Sequence, residues 1–322
     1  MSLYKEFNPL EENAMVRQDS TAQQSEIVWP VKTREIHDHH INSEAWNRFK
    51  FRDEDIVIAT YAKSGTTWMQ QIVSQLIFNG AESIEVHALS PWIELRILLQ
   101  PAIDALERQT HRRFVKTHLP VDALVFSPKA KYIFIGRDAR DAVWSFFNHH
   151  SNATDEYFAA FSNPVGLVGP GIERGTNDPV EFFRRWFADD GFPYWPIWNI
   201  VRSWWDIRKL PNVKFMHFND MKEDLAGSIK EIADFLNIHP DTATFNKIVE
   251  HCTFDYMKAH SAQMAPRGGI MWKDGANTFI NKGTNGRWRD GLSANDIAQY
   301  ESKALTELGS ACSKWLEHGG AV

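Results

Sequence analysis

The stretch TYAKSGTTW, residues 60–68, decides how this chain is read. The apolar run Ile56-Val57-Ile58-Ala59 leads into it, and an apolar-periodic run beginning at Trp68 leads away. That is a strand, a tight polar loop and a helix. A loop so placed aims backbone N–H groups at whatever lies above the helix N-terminus, where the helix dipole favours an anion. Lys63 adds a positive charge, and Ser64, Thr66 and Thr67 add hydroxyl donors. Gly65 lets the backbone approach a ligand with no Cβ in the way. The loop therefore reads as a phosphate cradle. It is not the nucleotide triphosphatase loop G-x-x-x-x-G-K-S/T, because the lysine precedes the glycine and no earlier glycine opens the turn. Taken by itself, the stretch is also compatible with an ordinary strand-to-helix turn capped by Ser or Thr.

Downstream, the same pattern recurs. Arg113 to Thr117 reads as a strand delivering His118 to a loop that Pro120 stops. Lys131 to Gly136 reads as a buried strand followed by Arg137, with Asp138 and Asp141 suited to the start of a helix that carries Ser145. Asn212 to Phe218 reads as a further strand. Apolar spacing predicts helices over Thr67–Asn79, Pro91–Leu99, Val180–Ala188, Pro196–Leu210, Asp241–His251 and Ser293–Leu316, and one capped by Asp220 that reaches Leu236. Residues 151–178 read as one long loop. Strands alternating with helices imply an α/β fold, a single domain with a central parallel β-sheet flanked by helices. Ligands of such sheets sit at the carboxyl ends of the strands. Lys63, His118, Arg137 and Ser145 are therefore expected in one crevice.

The totals narrow the function. The chain has 322 residues and a formal net charge of −6, which argues against a general nucleic-acid binder. Its 13 Trp and 21 Phe are a heavy load, suited to a core and to an apolar pocket. Two cysteines, Cys252 and Cys312, suggest a reducing compartment and no disulfide framework, so a cytoplasmic location is expected. No apolar run reaches the roughly 18 residues of a membrane span. Residues 1–25 lack a secretory signal and are expected to be a flexible tail, with the folded domain at 26–322. His37, His39 and His40 form a metal-capable cluster, but a polar surface is the preferred reading and no metal is expected.

TYAKSGTTW at 60–68, KTHLP at 116–120, GRDARDAVWSF at 136–146 and NKGTNGRW at 281–288, in this order, resemble the cytosolic sulfotransferases. The resemblance spans about Asp55 to Trp288, and the RDxRD variant is nearer in type to bacterial members. It implies transfer of a sulfuryl group from 3′-phosphoadenosine 5′-phosphosulfate (PAPS) to a hydroxyl of a small, largely apolar acceptor, leaving 3′,5′-bisphosphoadenosine and needing no metal. By position, Lys63, Ser64, Gly65, Thr66, Thr67 and Trp68 would surround the 5′-phosphosulfate, with Trp68 on the adenine. Arg137 and Ser145 would hold the 3′-phosphate. Phe279, Ile280, Asn281, Lys282 and Gly283 would close over it. Phe218, Cys252, Phe254 and Met257 would form the adenine side. His118 would be the general base, with Lys63 and Lys116 serving the transferring group.

Single residues have plainer readings. His118 alone is a hydrogen-bonded loop histidine, Ser145 a helix serine, Arg137 a strand-end ion pair and Trp68 core. His149 and His150 read as surface or pocket rim. The chain also departs from the family pattern. Ala62 stands where a proline usually precedes the lysine, Phe218 where a tyrosine usually stands, and Arg287 where an acid precedes Trp288. Asn281 replaces an arginine, a loss that Arg267, Lys273 or Arg287 would have to offset. The family's dimerisation pattern is not recognisable near 289–298, leaving the oligomeric state open. A kinase-like phosphoryl transferase and an inactive nucleotide-binding module are the competing functions.

Overall fold

The computed structural model describes residues 27–163 and 165–322. The expected tail, residues 1–25, lies outside them. Four parallel strands form one sheet in the order β2-β1-β3-β4: β1 is Ile56–Thr60, β2 Phe114–Thr117, β3 Lys131–Gly136 and β4 Val213–His217. Every residue of β1 and β2 is buried, as near-continuous apolar runs require when helices cover both faces of a parallel sheet. One face packs on Met69, Ile72, Val73 and Leu76 of the helix Thr66–Ile77 and on Ile229 and Ile232 of Leu225–Leu236. The other carries an aromatic core in which Trp186, Trp198, Trp204 and Trp315 are buried.

The chain leaves β1 for β2 on one side and then crosses to β3 on the other. The order reverses at β1 and β3, and a crevice opens beyond their carboxyl ends. The loop that begins TYAKSG and Arg137 both fall at that point. Arg140 fixes the helix after β3, Ala139–Ser151, to the C-terminal helix Ala294–His318. Its fully buried guanidinium donates to Asp138 at 2.8 Å and Glu317 at 2.5 Å and lies 3.9 Å from the Trp288 ring centre.

Several local expectations are corrected. Pro91–Leu99 is not a helix. Trp92 bridges to Lys116, Leu95 bridges to Ile41, and only Arg96–Leu98 forms a short turn before the helix Leu99–Glu107. The apolar spacing there serves a turn, closed by Leu95 N on the Trp92 carbonyl, that is held by one bridge at each end. Asp220 does not cap the helix to Leu236. It lies inside the short helix Phe218–Glu223, and Asp224 is the cap, accepting from Gly227 N at 2.8 Å. Residues 151–178 are not all loop, since Asp155–Ser162 is a helix capped by Thr154. His39 and His40 are buried rather than part of a polar surface. No helix among the described residues is long and apolar enough to cross a membrane.

Candidate active site

The loop after β1 turns on two left-handed residues, Lys63 at φ 68° and Gly65 at φ 110°. Gly65 also packs closely: a Cβ there would sit 3.1 Å from the Phe218 ring. Thr60 and Thr66 join their hydroxyls at 2.7 Å across the loop. The first N–H groups of the following helix have no intrahelical partner, so the cradle is built of backbone. Above it lies a cleft of about 780 Å³. Lys63, Gly65, Thr66, Thr67, Trp68, Lys116, His118, Arg137 and Ser145 all line it.

Four strand ends thus supply one site. His118, after β2, donates from Nδ1 to the Thr60 carbonyl at 2.9 Å, which leaves Nε2 as the lone-pair nitrogen. Burial, with the charges of Lys116 and Lys63, pushes its imidazole down to about 3, so the ring is neutral near pH 7. Trp92 meets His118 edge-on at 4.8 Å, and Trp195 stacks on it at 5.8 Å. Burial, Arg137 and Lys116 push Lys63 down to about 7, and burial pushes Lys116 down to about 8. Arg137, after β3, donates to the Lys63 carbonyl at 2.8 Å and to Asn285 Oδ1 at 2.7 Å, and its guanidinium lies 4.2 Å from the Phe218 ring centre.

The expected adenine side is only partly in the cleft. Phe218, Phe254, Met257, Phe279, Ile280, Asn281, Lys282 and Gly283 line it. Cys252 is fully buried in the core below the helix Thr66–Ile77, and what it offers the site is its carbonyl, which accepts from Trp68 Nε1 at 2.8 Å. Ser64 is buried within the loop and does not line the cleft. The segment 279–286 is pinned from below, with Lys222 donating to the Gly283 carbonyl at 2.9 Å and Lys258 to those of Asn277 and Ile280.

Sequence reasoning missed three groups. Glu94 is fully buried and accepts from Trp46 Nε1 at 2.9 Å, Thr117 Oγ1 at 2.9 Å and His118 N at 2.8 Å, so it holds the KTH turn in place. It lies in the stretch misread as a helix. His149, expected at a rim, lines the cleft and accepts from Lys63 Nζ at 3.3 Å. His150 is buried and does not line the cleft. His40 stacks on Phe161 at 3.9 Å and joins Tyr194 and Trp195 in an aromatic wall opposite the basic loop. No group of three or more potential metal ligands occurs among the described residues.

A neutral imidazole and two lysines of lowered pKa beside a backbone anion cradle can move a proton from a hydroxyl while stabilising charge on a departing oxygen. The sequence profile of the sulfotransferase domain matches residues 53–308. The chain belongs to the sulfotransferase family. This sulfotransferase is 30% identical over 279 residues to a glycolipid sulfotransferase of Mycobacterium tuberculosis, covering 79% of the chain and 85% of the relative. It is 31% identical over 271 residues to sulfotransferase 1 family member D1 of Rattus norvegicus, covering 80% and 85%. Its fold matches the crystal structure of mouse sulfotransferase SULT7A1 complexed with PAP, with a TM-score of 0.65 at 23% identity over 85% of the chain and 91% of that structure. It also matches retinol dehydratase in complex with androsterone and PAP, with a TM-score of 0.65 at 23% identity over 83% and 86%.

Proposed function

We propose that this sulfotransferase takes the sulfuryl group of PAPS to the hydroxyl of a small, largely apolar acceptor, an alcohol or phenol. His118 removes the acceptor proton through Nε2. The acceptor oxygen forms its bond to sulfur as the bond from sulfur to the 5′-phosphate oxygen breaks, and 3′,5′-bisphosphoadenosine leaves. Lys63 meets the charge that develops on that oxygen, and Lys116 faces the sulfuryl oxygens. The observation that carries this reading is the 2.9 Å contact between His118 Nδ1 and the Thr60 carbonyl. With Nδ1–H held by the Thr60 carbonyl, the free lone pair belongs to Nε2. The low pKa of His118 comes first from burial and then from the charges of Lys116 and Lys63. An anionic phosphosulfate on Lys63 offsets the cationic part of that shift and raises the imidazole.

Arg137, Ser145, Asn281, Lys282 and Gly283 all line the cleft and suit the 3′-phosphate, with Trp68 and Phe218 suiting the adenine. The acceptor side is walled by Trp92, Leu95, Phe161, Tyr194, Trp195 and Trp272. Such a wall supports an apolar body with one reacting hydroxyl. Glycolipid, steroid and retinoid names among the relatives fit that class.

Calorimetric titration with 3′,5′-bisphosphoadenosine and with ATP–magnesium, followed by incubation with labelled PAPS and a panel of phenols, sterols, fatty alcohols and glycolipids, tests the reading. Tighter binding of the bisphosphate and sulfate transfer to at least one panel member are expected. Tighter ATP–magnesium binding, or no transfer to any acceptor, contradicts it.

A further inference from the structure

The arginine expected to hold the 3′-phosphate is already heavily engaged. Arg137 Nη1 donates to the Lys63 carbonyl at 2.8 Å, and Nε and Nη2 share Asn285 Oδ1 at 3.1 and 2.7 Å. Nη2 also reaches the Thr284 carbonyl at 3.3 Å. A phosphomonoester dianion carries up to two charges and several acceptor oxygens, more than one occupied fork satisfies. Position 281 offers an amide, and Lys222 is held on the Gly283 carbonyl.

Arg287 lies two residues beyond Asn285 and lines the same cleft. Among the described residues no hydrogen bond or ion pair engages it, and its Nε is buried without a partner. Gly286 fixes its approach: at φ 79° this glycine donates its N–H to Asp141 Oδ1 at 2.7 Å. The two guanidinium groups act on each other, since Arg287 is among the charges that lower Arg137. Asp141 acts on both guanidinium groups, with burial pushing its carboxyl up to about 6, and Asp138 acts on Arg137 while bound to Arg140. Two like charges facing one cleft repel each other and favour an anion there. Of the other cations that might offset Asn281, Arg267 lines the cleft from an exposed turn and is not among the charges acting on Arg137. Lys273 does not line the cleft.

We propose that Arg287 is a second guanidinium for the nucleotide's 3′-phosphate, acting with Arg137 and replacing the charge absent at Asn281. The inference rests on the PAPS reading above and adds the residue that recognises the terminal phosphate. Binding of 3′,5′-bisphosphoadenosine and of adenosine 5′-monophosphate, which lacks the 3′-phosphate, is measured by calorimetry for the natural chain, Arg287→Ala, Arg287→Lys and Lys273→Ala, with a thermal melt of each. Arg287→Ala is expected to weaken the bisphosphate by about 10- to 100-fold, the scale of a lost charge-assisted hydrogen bond, and to leave the monophosphate within about twofold. Arg287→Lys recovers part of the loss, and Lys273→Ala, outside the cleft, changes neither ligand. An equal loss for both nucleotides, or no loss, overturns the proposal. If Arg287→Ala does not fold, Arg287→Gln carries the same comparison. If the natural chain does not prefer the bisphosphate to the monophosphate, the PAPS reading fails as well, and the two failures are distinguished by that one measurement.

Discussion

The two halves of the cleft are assembled from different materials. The proposed anion half rests on strand-end backbone, the turn at Lys63 and Gly65 and the start of the helix Thr66–Ile77, with Arg137 one residue past β3 joined to the 281–287 segment. The proposed acceptor half is side chain, with His40, Trp92, Phe161, Tyr194, Trp195 and Trp272 arriving from separate segments of the chain. A backbone cradle is tied to the strand order and tolerates little change of residue. A side-chain wall changes shape with any one of its members. The first suits a nucleotide that never varies, and the second suits an acceptor that differs between relatives.

Breaking the anion half is expected to have the largest effect. Lys63→Ala removes the ammonium proposed to meet the leaving oxygen, and a fall in kcat of about 10²- to 10³-fold is expected by steady-state assay. Glu94→Gln acts between the halves. It substitutes a donor-bearing amide for a carboxylate that accepts three hydrogen bonds. A loss of about 1–3 kcal/mol in denaturant unfolding is expected, with a fall in kcat because the turn carrying His118 loosens. On the acceptor side, Trp195→Phe is expected to raise the acceptor KM by about tenfold and leave bisphosphate affinity unchanged. A parallel loss of nucleotide affinity would show that the halves are not separable.

The smallest effect is a proton count. Lys63 at about 7 and Lys116 at about 8 are partly neutral in the free protein at pH 8. A bound phosphosulfate stabilises their charged forms, so binding takes up protons above pH 7 and takes up fewer as the pH falls below it. Calorimetry of bisphosphate binding in buffers of different ionisation enthalpy reads this directly, and Lys63→Met is expected to reduce the uptake at pH 8.

The same contrast explains what the sequence disclosed. Lys63, His118 and Arg137 are each within three residues of a strand end, so apolar runs and the strand-order rule were enough to bring them together. Trp68 and the 279–283 segment followed from the family resemblance. Glu94 and His149 were hidden, because their meaning depends on partners far away in the chain, Thr117 and His118 for one and Lys63 for the other. The Pro91–Leu99 stretch failed because short apolar runs satisfy helix and extended spacing alike. Cys252 touches the site only through its carbonyl, which accepts from Trp68 Nε1, a contact that no residue type announces in a sequence.

The account turns on His118 as the base. Single-turnover transfer from PAPS to an accepting alcohol, measured beside bisphosphate binding for the natural chain and His118→Ala, tests it most directly. The account expects the transfer rate to fall by about 10²- to 10⁴-fold while bisphosphate affinity stays within about threefold. Turnover retained in His118→Ala would contradict it.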